Sequence, residues 1–242
     1  KMITSQSVLW GVENIVVFGI YFPTEWRTSS PNVSWTVAQF HPASGTVVNN
    51  PNPTWTMQWQ GGGVGNPNGC KFNILVRAST GTFDANGTWV GQTNVTVASA
   101  EIVNPAANTW HWIAVKSKPG LSIPGDVSTV ANPYLEVYHA VHRSPAVKVF
   151  RYDGPWGMPY LKSTQYRDRA FVAHSGLYFI LPTNWIAPVS QLLEVRNKGV
   201  WIARMSDLPA GVTAEDAIYS VRQTTTTADP PTSYSPDRKS VV

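Results

Sequence analysis

The sequence predicts an all-β protein, a two-layered sandwich of jelly-roll type, on three observations. Short apolar runs recur along the chain with Gly, Pro and Asn between them, the rhythm of strands joined by turns. Several runs alternate between apolar and polar residues, as strands do when one face is buried against a second sheet. Charge is scarce at 13%, whereas Thr, Val and aromatic residues, 11 Trp among them, are plentiful; such side chains fit a pleated, half-buried surface. The 242 residues, 43% of them apolar, suit one domain of this kind.

The chain begins at Lys1 almost directly in a strand-like pattern, as if a leader or upstream segment had been removed before it. Ile15 to Phe22 is nearly continuously apolar and stops at Pro23, which suits a strand covered on both faces. Ser34 to His41 is the next expected strand, with Trp35, Val37, Gln39 and His41 on one face and Thr36, Ala38 and Phe40 on the other. In 54–60, Trp55, Met57 and Trp59 share one face, and Thr56, Gln58 and Gln60 the other. Glycines in 61–69 predict a long, flexible connection. A strand over 71–78 turns Phe72, Ile74 and Val76 inward and Asn73 and Arg77 outward.

Further strands are expected over 94–100, 109–116 and 134–142, the last with Leu135 and Val137 inside against Tyr134, Glu136 and Tyr138. Residues 143–170 read as loop, with a turn cluster at 153–159, and strand signals resume at 171–181 and 199–205. One helical turn is expected over 213–218, capped by Thr213 and with Glu215 and Asp216 at its positive end. The domain is drawn as 1–222, followed by an extended, low-complexity tail over 223–242.

Composition narrows the function classes. A net charge of +4 steers polyanions modestly, but no Lys/Arg run of the kind that tracks phosphates is present, so nucleic acid is not an expected partner. No stretch approaches the roughly 18 apolar residues of a membrane span. Cys70 is alone, so no internal disulfide forms, and it reads as a buried or loop thiol. His139, His142 and His174 lack zinc-site spacing, and neither a metal nor another cofactor is expected. His111, between two tryptophans, is expected at a core edge. Sequons at Asn32, Asn86 and Asn94 are frequent by chance in so Asn- and Thr-rich a chain.

In order along the chain stand Ile20-Tyr-Phe-Pro-Thr-Glu-Trp26, Val37-Ala-Gln-Phe-His41, Phe72-Asn-Ile-Leu-Val-Arg77, Asn108-Thr-Trp-His-Trp-Ile-Ala-Val-Lys116 and Pro133-Tyr-Leu-Glu-Val-Tyr138. In these motifs, over about 18–205, the chain resembles the jelly-roll polysaccharide lyases: the heparin lyase I-like and glucuronan lyase-like families, and more distantly the alginate lyases. Two segments compete for the family's closing Lys-x-Gly-x-Tyr. His174-Ser-Gly-Leu-Tyr178 has His for Lys, and Lys162-Ser-Thr-Gln-Tyr166 lacks the Gly. The family's upstream Arg-x-Glu strand has no counterpart.

The resemblance implies a concanavalin-like sandwich of two antiparallel sheets with a concave groove. It also implies a secreted or extracellular setting (alternatively a periplasmic one; a virion-associated one belongs to the structural reading below) and cleavage of a uronic-acid-containing anionic polysaccharide by β-elimination. That reaction removes a weakly acidic proton α to a carboxylate, so the carboxylate must be neutralised as charge builds on it. Gln39, Asn73 and Arg77 carry the amide and guanidinium donors that suit a planar anion. His41 is assigned as base or carboxylate partner, and Tyr178 as acid/base with Tyr166 in reserve. Trp35, His174 and Lys162 are the remaining substrate contacts. Two other readings compete: a non-catalytic glycan-binding jelly roll whose tryptophans stack on sugars, and a structural jelly roll of a virus or phage particle whose tail joins subunits.

Overall fold

The computed structural model describes residues 2–8, 11–22, 24–28, 31–32, 34–42, 54–83, 85, 89–120, 130–157, 171–178, 196–208 and 210–218. The expected tail at 223–242 and the segment holding Lys162 and Tyr166 lie outside them.

The described strands are β1 (Met2–Val8), β2 (Asn14–Phe22), β3 (Ser34–Pro42), β4 (Trp55–Gln60), β5 (Lys71–Phe83), β6 (Trp89–Val103), β7 (Thr109–Lys118), β8 (Tyr134–Val141), β9 (Val147–Asp153), β10 (Phe171–Tyr178) and β11 (Arg196–Arg204). They form a six-stranded sheet in the order β1-β10-β3-β4-β5-β6 and a five-stranded sheet in the order β11-β2-β7-β8-β9, every pair antiparallel. Sequence neighbours often sit in different sheets, as β1 and β2 do. The protein is a β-sandwich of jelly-roll type.

Alternation decides what each sheet turns inward. Trp55, Met57 and Trp59 of β4 and Phe72, Ile74 and Val76 of β5 are fully buried and meet Val16, Phe18, Ile20 and Phe22 of β2 in one core. Phe22 sits at an aromatic junction, 4.1 Å from the Trp59 ring and 5.7 Å from Phe72 by centroid. As expected of a strand covered on both faces, β2 sends Ile15 and Val17 the other way, to Trp110, Trp112, Ala214, Ala217 and Ile218. The helical turn 214–218 therefore roofs the five-stranded sheet. Thr213 caps it: its Oγ1 accepts from the Asp216 amide at 3.1 Å, and the Asp216 carboxylate accepts from the Thr213 amide at 2.8 Å.

Three expectations are corrected. In β3 the pairing with β4 shifts register between Thr36 and Ala38, and Val37 and Ala38 both enter the core at 1% exposure. A bulge interrupts the alternation, so Val37 does not share a face with Gln39. Trp35, expected beside Gln39, instead pairs in register with the core residue Trp59. Within the expected loop 143–170, residues 147–153 form β9, an edge strand whose half-exposed residues and charges hide its alternation. The glycine-rich connection is a hydrogen-bonded turn rather than a slack linker. A 3-10 turn spans Pro67–Gly69, and the Gly69 amide donates to Asn66 O at 2.9 Å. A Cβ on Gly62 would lie 2.0 Å from that same oxygen, so only glycine fits there. Cys70, at the end of this turn, is buried.

Candidate functional site

The outer face of the six-stranded sheet collects the polar residues that alternation excludes from the core. Directly paired residues of antiparallel strands share a face, so the register writes this surface as rows crossing the sheet. One row runs Ser34, Gln60, Lys71 and a second Thr36, Gln58, Asn73, Glu101. A third runs Gln39, Thr56, Leu75, Ser99. A fourth carries Arg77 opposite Thr96, with the Arg77 amide bonded to Thr54 O at 2.8 Å. At about 4.8 Å between strands and 3.3 Å per residue, the described field measures roughly 15 by 20 Å.

The middle of this field is sheltered. Gln39 is 7% exposed and Thr56 1%, although both lie on the outer face. Arg77 Nη1 donates to Thr56 Oγ1 at 3.2 Å, and Thr56 stands directly opposite Gln39. The register thus brings a guanidinium and a carboxamide to either side of one threonine, their stems on different strands. Burial presses the Arg77 guanidinium below its ordinary pKa, though it stays charged at any working pH. Asn73 Nδ2 donates to Gln60 Oε1 at 3.2 Å, and Gln60 Nε2 donates to Pro31 O. Lys71 Nζ donates to Glu101 Oε1 at 2.5 Å.

The sequence-predicted residues divide as follows. Gln39, Asn73 and Arg77 are on this one face. His41 continues β3 and pairs with Val172 of β10. His174 pairs with Gln39, and Tyr178 with Thr36, so the backbone positions of both adjoin the rows above; the side chains of Trp35, His41, His174 and Tyr178 are outside the described residues. Thr56, Lys71 and Glu101 were missed. Counting back in twos from Arg77 and Asn73 reaches Lys71, so parity alone held the signal for one of them.

The six tryptophans whose side chains are described, Trp26, Trp55, Trp59, Trp110, Trp112 and Trp156, are at most 2% exposed. Their ring faces pack the interior, as Trp59 does on Phe22, and do not present sugar-stacking platforms.

Polar and titratable clusters also occur elsewhere among the described residues. On the outer face of the five-stranded sheet, the nearly buried Glu136 accepts from Lys148 at 2.6 Å, from Tyr138 at 2.6 Å and from Arg151. Burial pushes its carboxyl up, but the three donors outweigh burial and the net shift is downward. His111 is buried as expected at the core edge. Its Nε2 lies 2.8 Å from Ala106 O and its Nδ1 2.8 Å from Nε2 of His139. A carbonyl only accepts, so His111 Nε2 carries the proton and Nδ1 accepts from His139. Burial lowers both rings to about 4, the His139 shift being helped by His111. Among the described residues no three metal-ligating side chains cluster, and no helix is long and apolar enough to cross a membrane.

No family model and no curated protein matches the chain. Solved structures similar to it include an alginate lyase from Pseudomonas aeruginosa, 11% identical over 81% of this chain and 68% of that one, with a TM-score of 0.37. The alginate lyase Aly36B is 13% identical over 80% and 68%, with a TM-score of 0.41. An alginate lyase from Aplysia kurodai is 8% identical over 72% of each chain, with a TM-score of 0.36. Identities and scores this low carry no functional assignment, which must come from the residues of the sheet face itself.

Proposed function

We propose that the chain is a polysaccharide lyase that cleaves a uronic-acid-containing anionic polysaccharide by β-elimination on the outer face of the six-stranded sheet. The observation that carries this reading is the sheltered meeting of Gln39 and Arg77 about Thr56. Such a pair of donors suits the planar carboxylate of a uronate, and its shelter strengthens each hydrogen bond.

In this scheme Gln39 and Arg77, with Asn73 behind them, hold the carboxylate while negative charge grows on it. His41 removes the proton from the carbon bearing the carboxylate. The released electron pair forms the ring double bond as the neighbouring glycosidic carbon–oxygen bond breaks. Tyr178 gives its proton to the departing oxygen, with Tyr166 its alternate. The products are an unsaturated uronate end and a free hydroxyl end. No cofactor enters, and the positive net charge aids the approach of the polyanion.

The test is to incubate the protein with glucuronan, alginate and heparin-type polymers and follow unsaturated-uronate absorbance. On the polymer that reacts, Gln39→Ala and Arg77→Met each lower kcat by about a hundredfold or more, and His41→Ala does the same. Should no polymer yield product, or Gln39→Ala prove as active as the parent, the assignment falls. Polymer retention that survives His41→Ala and Tyr178→Phe, with no product, would mark a binding module instead.

A further inference from the structure

Gln60 closes β4 on the outer face, and its carboxamide is held between two neighbours. Its Nε2 donates to Pro31 O, and its Oε1 accepts from Asn73 Nδ2 at 3.2 Å. Pro31 sets the direction of this relay. A carbonyl oxygen only accepts, so Gln60 must turn its nitrogen there and its oxygen toward Asn73, and Asn73 must answer with its own nitrogen. The reverse setting would bring Gln60 Oε1 against Pro31 O, two acceptors with no proton between them.

Pro31 is itself seated on the glycine-rich turn. A Cβ at Gly63 would lie 3.3 Å from Pro31 Cδ, and the Gly62 amide donates to Arg27 O at 2.9 Å. Asn73, half-buried on the outer face, keeps one N–H and its Oδ1, neither of them bonded among the described residues. It stands one row beyond Gln39, Thr56 and Leu75, roughly 7 Å along the strand. That is about the reach of one sugar ring from a carboxylate held between Gln39 and Arg77.

We propose that Gln60 is a positioning residue: pinned by Pro31, it fixes Asn73 with one donor and one acceptor outward, so that this face selects polymers with an unsubstituted hydroxyl about one ring from the bound carboxylate. This selection rests on the reading of the face as a uronate-polymer site and adds a substrate class to it, uronans that are not O-acylated at that hydroxyl. A hydroxyl both gives and takes a hydrogen bond, which matches the Oδ1 and N–H of Asn73. An O-acyl ester has no proton to give and would cover Oδ1 while leaving it unpaired. A carboxamide at liberty to turn would offer the ester a second N–H instead.

The experiment has two arms. The first reads the side-chain amide of Asn73 by NMR, its signals assigned by their loss in Asn73→Ala. One of its two protons exchanges with water about threefold or more slowly in wild type than in Gln60→Met, while the other is unchanged; equal rates in the two proteins overturn the fixed setting. The second arm compares glucuronan and alginate with the same polymers chemically O-acetylated, which keeps their carboxylate charge. On the polymer that reacts, wild type has a kcat/KM about tenfold or more lower after acetylation, and Gln60→Met brings the two forms within about threefold of each other. A merely structural role for Gln60 would lower both forms together and leave their ratio in place. A wild type indifferent to acetylation, or a ratio unmoved by Gln60→Met, overturns the selection. Retention on the immobilised polymers separates this inference from the cleavage scheme. If wild type binds without cleaving, a preference for the unacetylated form that Gln60→Met loses sustains the selection while the lyase assignment falls; equal retention of both forms overturns the selection as well. If wild type neither cleaves nor binds, both fall.

Discussion

At the scale of single residues, His111 and His139 show how a polar group comes to sit in an aromatic core. Each ring satisfies the other at 2.8 Å, and the Ala106 carbonyl takes the remaining proton of His111, so neither is buried unpaired. Both imidazoles titrate near 4 when folded, against 6.5 for the free side chain. The unfolded chain therefore binds more protons between those values, and stability is complete above about pH 6.5 and drains away toward pH 4. Urea denaturation at pH 6.5 and pH 5 is expected to show a loss of about 1.5 kcal/mol per histidine. The double variant His111→Phe/His139→Leu should flatten that acid slope; an unaltered slope would locate the titration elsewhere. The placement of His111 at a core edge was legible from its tryptophan neighbours. Its partner was not, because cross-strand contacts between β7 and β8 depend on a register that no local pattern encodes.

Among the elements, legibility followed regularity. The faces of β4 and β5 could be read residue by residue, since neither strand departs from a period of two. β3 misled at Trp35 and Val37, where two adjacent apolar residues, Val37 and Ala38, both fit the core and leave no sequence mark of a bulge. β9 escaped because an edge strand buries little. The roof over the five-stranded sheet offers two checks. Gly19 lies under Trp112, and a Cβ there would come within 2.8 Å of its ring. Gly19→Ala should therefore cost about 1–3 kcal/mol by overpacking, read as a lowered thermal midpoint. Thr213→Ala removes the cap of the helical turn and should cost about 1 kcal/mol. No loss in either variant would show that the turn is not packed on Ile15, Val17 and Trp112 as described.

For the whole molecule, the two sheets share a core to which β2, β3, β4, β5, β7 and β8 all contribute, so they are expected to unfold together. Trp59→Leu, at the junction with Phe22, Trp26 and Phe72, should lower stability by about 2–4 kcal/mol. Tryptophan fluorescence and far-ultraviolet dichroism should still report one coincident transition; two separated transitions would mean the sheets stand independently. The sandwich and its sheet-facing residues were readable from composition and alternation. The burial of six tryptophans was not, because an indole at a strand position reads the same whether it fills a core or borders a groove.

The bulge between Thr36 and Ala38 has a consequence for how this chain tolerates change. It acts as a phase marker: upstream of it odd and even positions of β3 have one assignment to core and surface, and downstream they have the other. Removing one residue there would restore an unbroken alternation across the strand. Thr36 and Gln39 would both stay on the outer face, opposite Gln58 and Thr56, and only the extra core side chain would be lost. Loss of the single extra residue at the bulge is thus expected to spare the site, whereas one residue added between Ala38 and Gln39 should turn Gln39 inward unless a second change restores the phase, a frameshift logic written in side-chain parity rather than in codons.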